Sequence, residues 1–154
     1  MNAAAPLPPN IVDAQSVNAW ADYVRDRVTP TPDPNEIVTP DMVIQELRNS
    51  AAAAGRMVLV VKDADRIRRE KARALARAQA AAQRTAAAEG GRVADKAARV
   101  IELTENEADE ADVADAAYEY ARNVSRLVDG QKSAIQTIAR MVELTYQLAG
   151  SRRS

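Results

Sequence analysis

Apolar positions recur along this chain every three or four residues, the spacing of one face of an α-helix. Val17, Trp20, Val24 and Val28 form the first such set, and Ser16 is placed to cap a short helix over 16–28. The stretch TPTPDPNEIVTP follows, with four prolines in twelve residues. Proline removes a backbone donor and restricts the residue before it, which predicts an extended linker. Thr39-Pro40 then reads as a helix start, a capping hydroxyl followed by proline at the first helical position. From there to Glu89 only Gly55 interrupts, at a cost of about 1 kcal/mol relative to Ala. A helix of this length extends roughly 75 Å at 1.5 Å per residue.

The expected buried stripe of that helix is Val43, Leu47, Ala54, Val58 and Val61, continued with drift by Ile67, Ala74, Leu75 and Ala78. Gly90-Gly91 supplies the permissive backbone of a reversal. A second helical region is predicted over 93–149. Its first stripe is Val93, Ala97, Val100 and Leu103. Its second is Val113, Ala117, Tyr120, Val124, Leu127, Ala134, Ile138, Met141 and Leu148. TENEADEAD between them has little apolar content and reads as a kink or short break, and Gly130 is a second soft point. Strand signals are confined to Met57–Val61, inside a helical period. The predicted fold is therefore all-α: a long antiparallel helical hairpin over 39–150, preceded by a flexible leader with a short helix and a Pro-rich linker over 1–38, and followed by a basic tail over 151–154.

Composition narrows the function. There is no Cys and no His, so disulfides, thiolate chemistry and the commonest general base and metal ligand are all missing. No glycine-rich phosphate loop and no nucleophile with its base is legible. The expectation is a protein that is not an enzyme, with no cofactor and no metal site. No stretch approaches the roughly 20 apolar residues that span a bilayer, and the N-terminus lacks the basic start and apolar core of a signal peptide, so a cytoplasmic location without membrane contact is expected. Phe is absent, Trp20 is the single Trp, and much of the hydrophobic content is Ala. Ala favours helix but buries little area at roughly 25 cal/mol per Å². Thin helical interfaces of this kind favour association with further copies, so a homo-oligomer is expected. Trp20 reads as the anchor of the short helix and Tyr120 as a core residue, with Tyr118 on another side of the same helix.

The net charge of −1 conceals segregation. Residues 1–55 carry seven acids and three bases, and 56–99 carry five acids and twelve bases. Residues 102–119 carry eight acids and no base, and 120–154 carry two acids and six bases. The densest basic run is RIRREKARALARAQAAAQR, residues 66–84. At 100° per residue Arg66, Arg69, Arg73, Arg77 and Arg84 share one broad face. Such a stripe can track a phosphate backbone and release its condensed counterions, and a guanidinium can stack on an unpaired base. The alternative is that the acidic block Glu102, Glu105, Glu107, Asp109, Glu110, Asp112, Asp115 and Glu119 lies back along the basic helix and neutralises it, each exposed pair contributing about 0–1 kcal/mol.

The layout resembles small helical proteins of tailed phages, on Thr39, Pro40, Val43 and Leu47 opening a long helix, the basic Ala-rich middle, Gly90-Gly91 and the acidic-to-basic helix over 102–149. Within that group it looks most like UvsY-type recombination mediators. The most specific local match is Glu70-Lys71-Ala72-Arg73, which echoes a Lys-Ala-Arg-Leu element, with Ala74 in place of its Leu. Lys132, Ser133, Ile138 and Met141 are similar to that family's C-terminal helix. The resemblance implies an oligomeric protein that binds single-stranded DNA and loads a recombinase onto strands coated by single-strand-binding protein. Arg66, Arg69, Lys71, Arg73, Arg77 and Arg84 are then the candidate DNA contacts, and Val124, Leu127, Ile138 and Met141 the candidate oligomerisation contacts. The rival expectation is a scaffolding helical protein of phage assembly, whose opposed charge blocks set helix register and partner choice.

Overall fold

The computed structural model describes residues 7–28 and 38–151, so most of the Pro-rich linker and nearly all of the basic tail lie outside the described residues. Four helices are present and no strand among the described residues: α1 (Ala14–Arg25), α2 (Pro40–Glu89), α3 (Val93–Leu103) and α4 (Glu105–Ser151). The fold is all-α, and α2 packs along α4 as a long antiparallel hairpin.

Each boundary has a local cause. Thr39 caps α2 by accepting from the Met42 N–H, with Pro40 in the first turn. Gly90 and Gly91 end it with φ of 80° and 103°, values that side-chain-bearing residues rarely adopt. The predicted break near TENEADEAD falls on its first residue. Thr104 leaves helical geometry, and its buried hydroxyl donates back to the Val100 carbonyl while α4 begins at Glu105. Gly130 passes within α4 without interrupting it.

The start of α1 differs from the expectation. Asp13 is the cap, not Ser16, and the helix ends at Arg25, short of Val28. The Asp13 carboxylate accepts from the Ser16 N–H at 2.8 Å, and the Ser16 hydroxyl accepts from the Asp13 N–H at 3.0 Å, a reciprocal capping box. These bonds, the backbone one first, hold the Asp13 carboxyl below its usual range. Ahead of the cap, the Pro9 carbonyl accepts from the Trp20 indole N–H at 2.7 Å, which folds the preceding strand of chain back onto α1.

One core joins three helices: Val17, Trp20, Ala21 and Val24 of α1, Met57, Val60, Ala64 and Ile67 of α2, and Ala114, Ala117, Ala121, Val124 and Val128 of α4. The buried positions of α4 run 114, 117, 121, 124, 128 and 135, the alternating three-four step of a coiled-coil seam. This phase is one residue away from much of the predicted stripe. Val113, Leu127, Met141 and Leu148 are exposed, as is Val58 of α2 at 65%, while its neighbour Met57 is fully buried. α1 runs antiparallel to α2. Its Asp13 end lies beside Ile67 and Lys71, and its Tyr23 and Arg27 end beside Asn49 and Arg56. The hairpin is thus three helices thick in its middle and two thick toward both ends.

Candidate nucleic-acid interface

The phase of α2 decides which bases meet the returning helix. Lys71 lies at the seam, and its ammonium donates to Glu110 of α4 at 2.6 Å. That hydrogen bond, then the charge of Glu110, raises its pKa above the ordinary 10.5. Arg68, on the neighbouring edge, holds Asp65 of its own helix at 2.9 Å and Asp115 of α4 at 3.5 Å. Its guanidinium also lies 4.2 Å from the centre of the Tyr118 ring, with Arg122 5.6 Å from the same ring. The acidic segment therefore engages the basic helix through Lys71 and Arg68.

The remaining candidates point elsewhere. Arg66 pairs with Asp63 and Glu70, and Arg69 with Asp65, all within α2; both arginines are exposed, and Asp65 is half-buried. Arg73, Arg77 and Arg84 are exposed and form no ion pair among the described residues. Exposed intrahelical pairs contribute about 0–1 kcal/mol and exchange readily for another anion. Five of the six candidate bases, Arg66, Arg69, Arg73, Arg77 and Arg84, are thus exposed and form no ion pair with α4 among the described residues. The span from Arg66 to Arg84 is about 27 Å at 1.5 Å per residue.

On α4 the carboxylates divide in the same way. Glu110 and Asp115 reach across to α2, and Glu119 pairs with Arg122 at 3.1 Å on its own helix. Glu105, Asp109 and Asp112 are exposed and form no ion pair among the described residues. The molecule carries a basic outer edge on α2 and an acidic outer edge on the first turns of α4. No group of His, Cys, Asp or Glu able to hold a metal ion occurs among the described residues, and no described helix is long and apolar enough to cross a membrane.

The candidate oligomerisation residues separate too. Val124 is only 3% exposed and belongs to the molecule's own three-helix core, so it is not offered to another subunit. Ile138 is half-buried beside the seam, whereas Leu127 and Met141 are exposed, Met141 by 62%.

Two basic-aromatic contacts at the α1–α2 junction escaped the sequence reading. The Arg56 guanidinium lies 4.9 Å from the Trp20 ring centre and that of Arg27 lies 3.4 Å from the Tyr23 ring centre. Only the docking of α1 against α2 brings Arg56 to an aromatic, since 36 positions separate it from Trp20. No family model matches the chain, and no curated protein or solved structure matches it either.

Proposed function

We propose that this chain is a non-catalytic accessory protein that binds single-stranded DNA along the outer face of α2 and acts as an oligomer. Its place is that of a mediator loading a recombinase onto strands coated by single-strand-binding protein, the role implied by its resemblance to UvsY-type proteins. The observation that carries the DNA-binding part is that Arg66, Arg69, Arg73, Arg77 and Arg84 are exposed and form no ion pair with α4 among the described residues. The returning acids engage Lys71 and Arg68 instead. A row of guanidiniums on one rigid helix presents a line of positive charge to a phosphate backbone at little ordering cost.

Lys71, included among the DNA contacts on sequence grounds, is assigned here to the joining of α2 and α4. The test is salt-dependent binding of a fluorescent single-stranded oligonucleotide. Arg73→Glu with Arg77→Glu should abolish binding at moderate salt, while single Arg→Ala changes should each lower the slope of log K against log salt by about 0.7. Lys71→Ala should leave that slope unchanged. An unmodified protein that ignores DNA at low salt would refute the proposal.

A second reading has its own observation. Glu105, Asp109 and Asp112 are exposed and unpaired among the described residues, and they complement the basic edge of another copy. In that scaffolding reading, sedimentation responds to salt and no DNA shift occurs.

A further inference from the structure

The α1–α2 junction holds a cleft of about 380 Å³ lined by Tyr23, Val24, Arg27, Asn49, Ala52 and Arg56. Its floor is small side chains, and its walls are planar and cationic. Tyr23 stands edge-on to Trp20, with ring centres 5.5 Å apart at 68°. The Arg27 guanidinium covers the Tyr23 ring and donates to the Tyr23 carbonyl. Asn49 Oδ1 accepts from Gln45 Nε2 at 3.0 Å. That fixes the amide so that its N–H donors are left for a ligand. Arg56 is exposed, forms no ion pair among the described residues, and flanks the Trp20 ring.

This cleft lies on the same side of α2 as the basic face. Arg56, Arg77 and Arg84 are separated by multiples of seven residues, so they lie on one line of a helix wound at the coiled-coil period; Asp63 and Glu70 stand on that line between Arg56 and Arg77, and both pair with Arg66. Arg66 and Arg73, also seven apart, run beside that line. A strand tracking these arginines toward the start of α2 arrives at the cleft.

We infer that the cleft receives one unpaired nucleobase of the bound strand. The base stacks on the guanidinium–tyrosine platform of Arg27 and Tyr23. The Asn49 amide donates to a ring carbonyl, which thymine, cytosine and guanine all offer and adenine lacks. Arg56 holds the adjoining phosphate. A platform of this kind binds bases through their flat faces with little sequence selectivity. The inference rests on the DNA-binding reading above, because a lone base has too few contacts to bind by itself.

The experiment compares a thymidine oligonucleotide with an abasic deoxyribose-phosphate strand of equal length, by fluorescence anisotropy on the full chain. The thymidine strand should bind about tenfold more tightly. The thymidine strand should also quench Trp20, the single Trp, and the abasic strand should not. The exposed double substitution Arg27→Gln with Asn49→Ala removes the stacking guanidinium and the amide donor, and it should bring the two affinities together while far-UV circular dichroism stays unchanged. Equal affinity for both strands in the unmodified protein, or a preference that survives the double substitution, overturns the base cleft and leaves the α2 face standing. Failure to bind either strand at low salt overturns both.

Discussion

The Tyr120 hydroxyl of α4 donates to the Asp22 carboxylate of α1 and in turn accepts from Arg25 at 2.6 Å. Asp22 and Arg25 are themselves paired at 3.0 Å, so one phenol locks a helix of the leader region onto the hairpin. The bond to Asp22, and then burial, raise the Tyr120 pKa above its ordinary 10.0. The folded state therefore keeps this proton to higher pH than the unfolded chain. The stabilisation is complete below pH 10 and is lost as pH rises through the elevated folded value. Tyr120→Phe should cost about 1 kcal/mol at neutral pH. It should also remove this part of the alkaline decline, read as the difference between the two proteins in urea melts at pH 8 and above 10. An identical alkaline decline in both would show that the bond contributes nothing.

Much of the architecture was legible in the sequence, and the largest part that was not is the azimuth of the buried faces. The Thr39-Pro40 start and the Gly90-Gly91 reversal each follow from a local backbone requirement, and local requirements survive into the fold. The azimuth of the buried face does not depend on one residue. In α4 the seam is built from Ala114, Ala117 and Ala121, whose small side chains add little to a hydrophobic pattern. The larger Val113, Leu127 and Met141 beside them draw a pattern-based stripe toward the wrong side. Tight packing selects the alanines because they let α1, α2 and α4 approach closely. The same error of phase hid the candidate site's division of labour. That the basic run forms a stripe was plain from its spacing. That Lys71 would meet Glu110 while Arg73 would not depends on where the seam runs.

Met57 tests the phase of α2 directly. It is fully buried between α1 and α4, whereas Val58 is mostly exposed. Met57→Ala should lower stability by about 3 kcal/mol, since the lost transfer energy is joined by a cavity term. Val58→Ala should change it by no more than about 0.5 kcal/mol. Urea unfolding reads both, with an unchanged m value confirming that the folded state is intact. Equal losses at the two positions would place the seam elsewhere.

The far end of α4 bears on the oligomeric part of the proposal. Beyond the section covered by α1, Leu127, Ala134, Met141, Leu144 and Leu148 fall within about 100° of one another on the helix at 100° per residue. All but the half-buried Ala134 are exposed. Of the bases of this segment, Arg126 shares the azimuth of Leu144 at one edge of that face, Arg140 lies about 40° beyond that edge and Lys132 lies opposite. Exposed apolar stripes of helical period are the surfaces by which helices pair. Packing against the same stripe of a second copy would bury it without disturbing the intramolecular seam. Met141→Glu with Leu144→Glu should therefore convert an oligomer to a monomer in sedimentation velocity at matched concentration. Helical content and the urea midpoint of the core should persist, because neither side chain contributes to the buried cluster. A sedimentation coefficient that the double substitution leaves unmoved would exclude this face as the contact between copies.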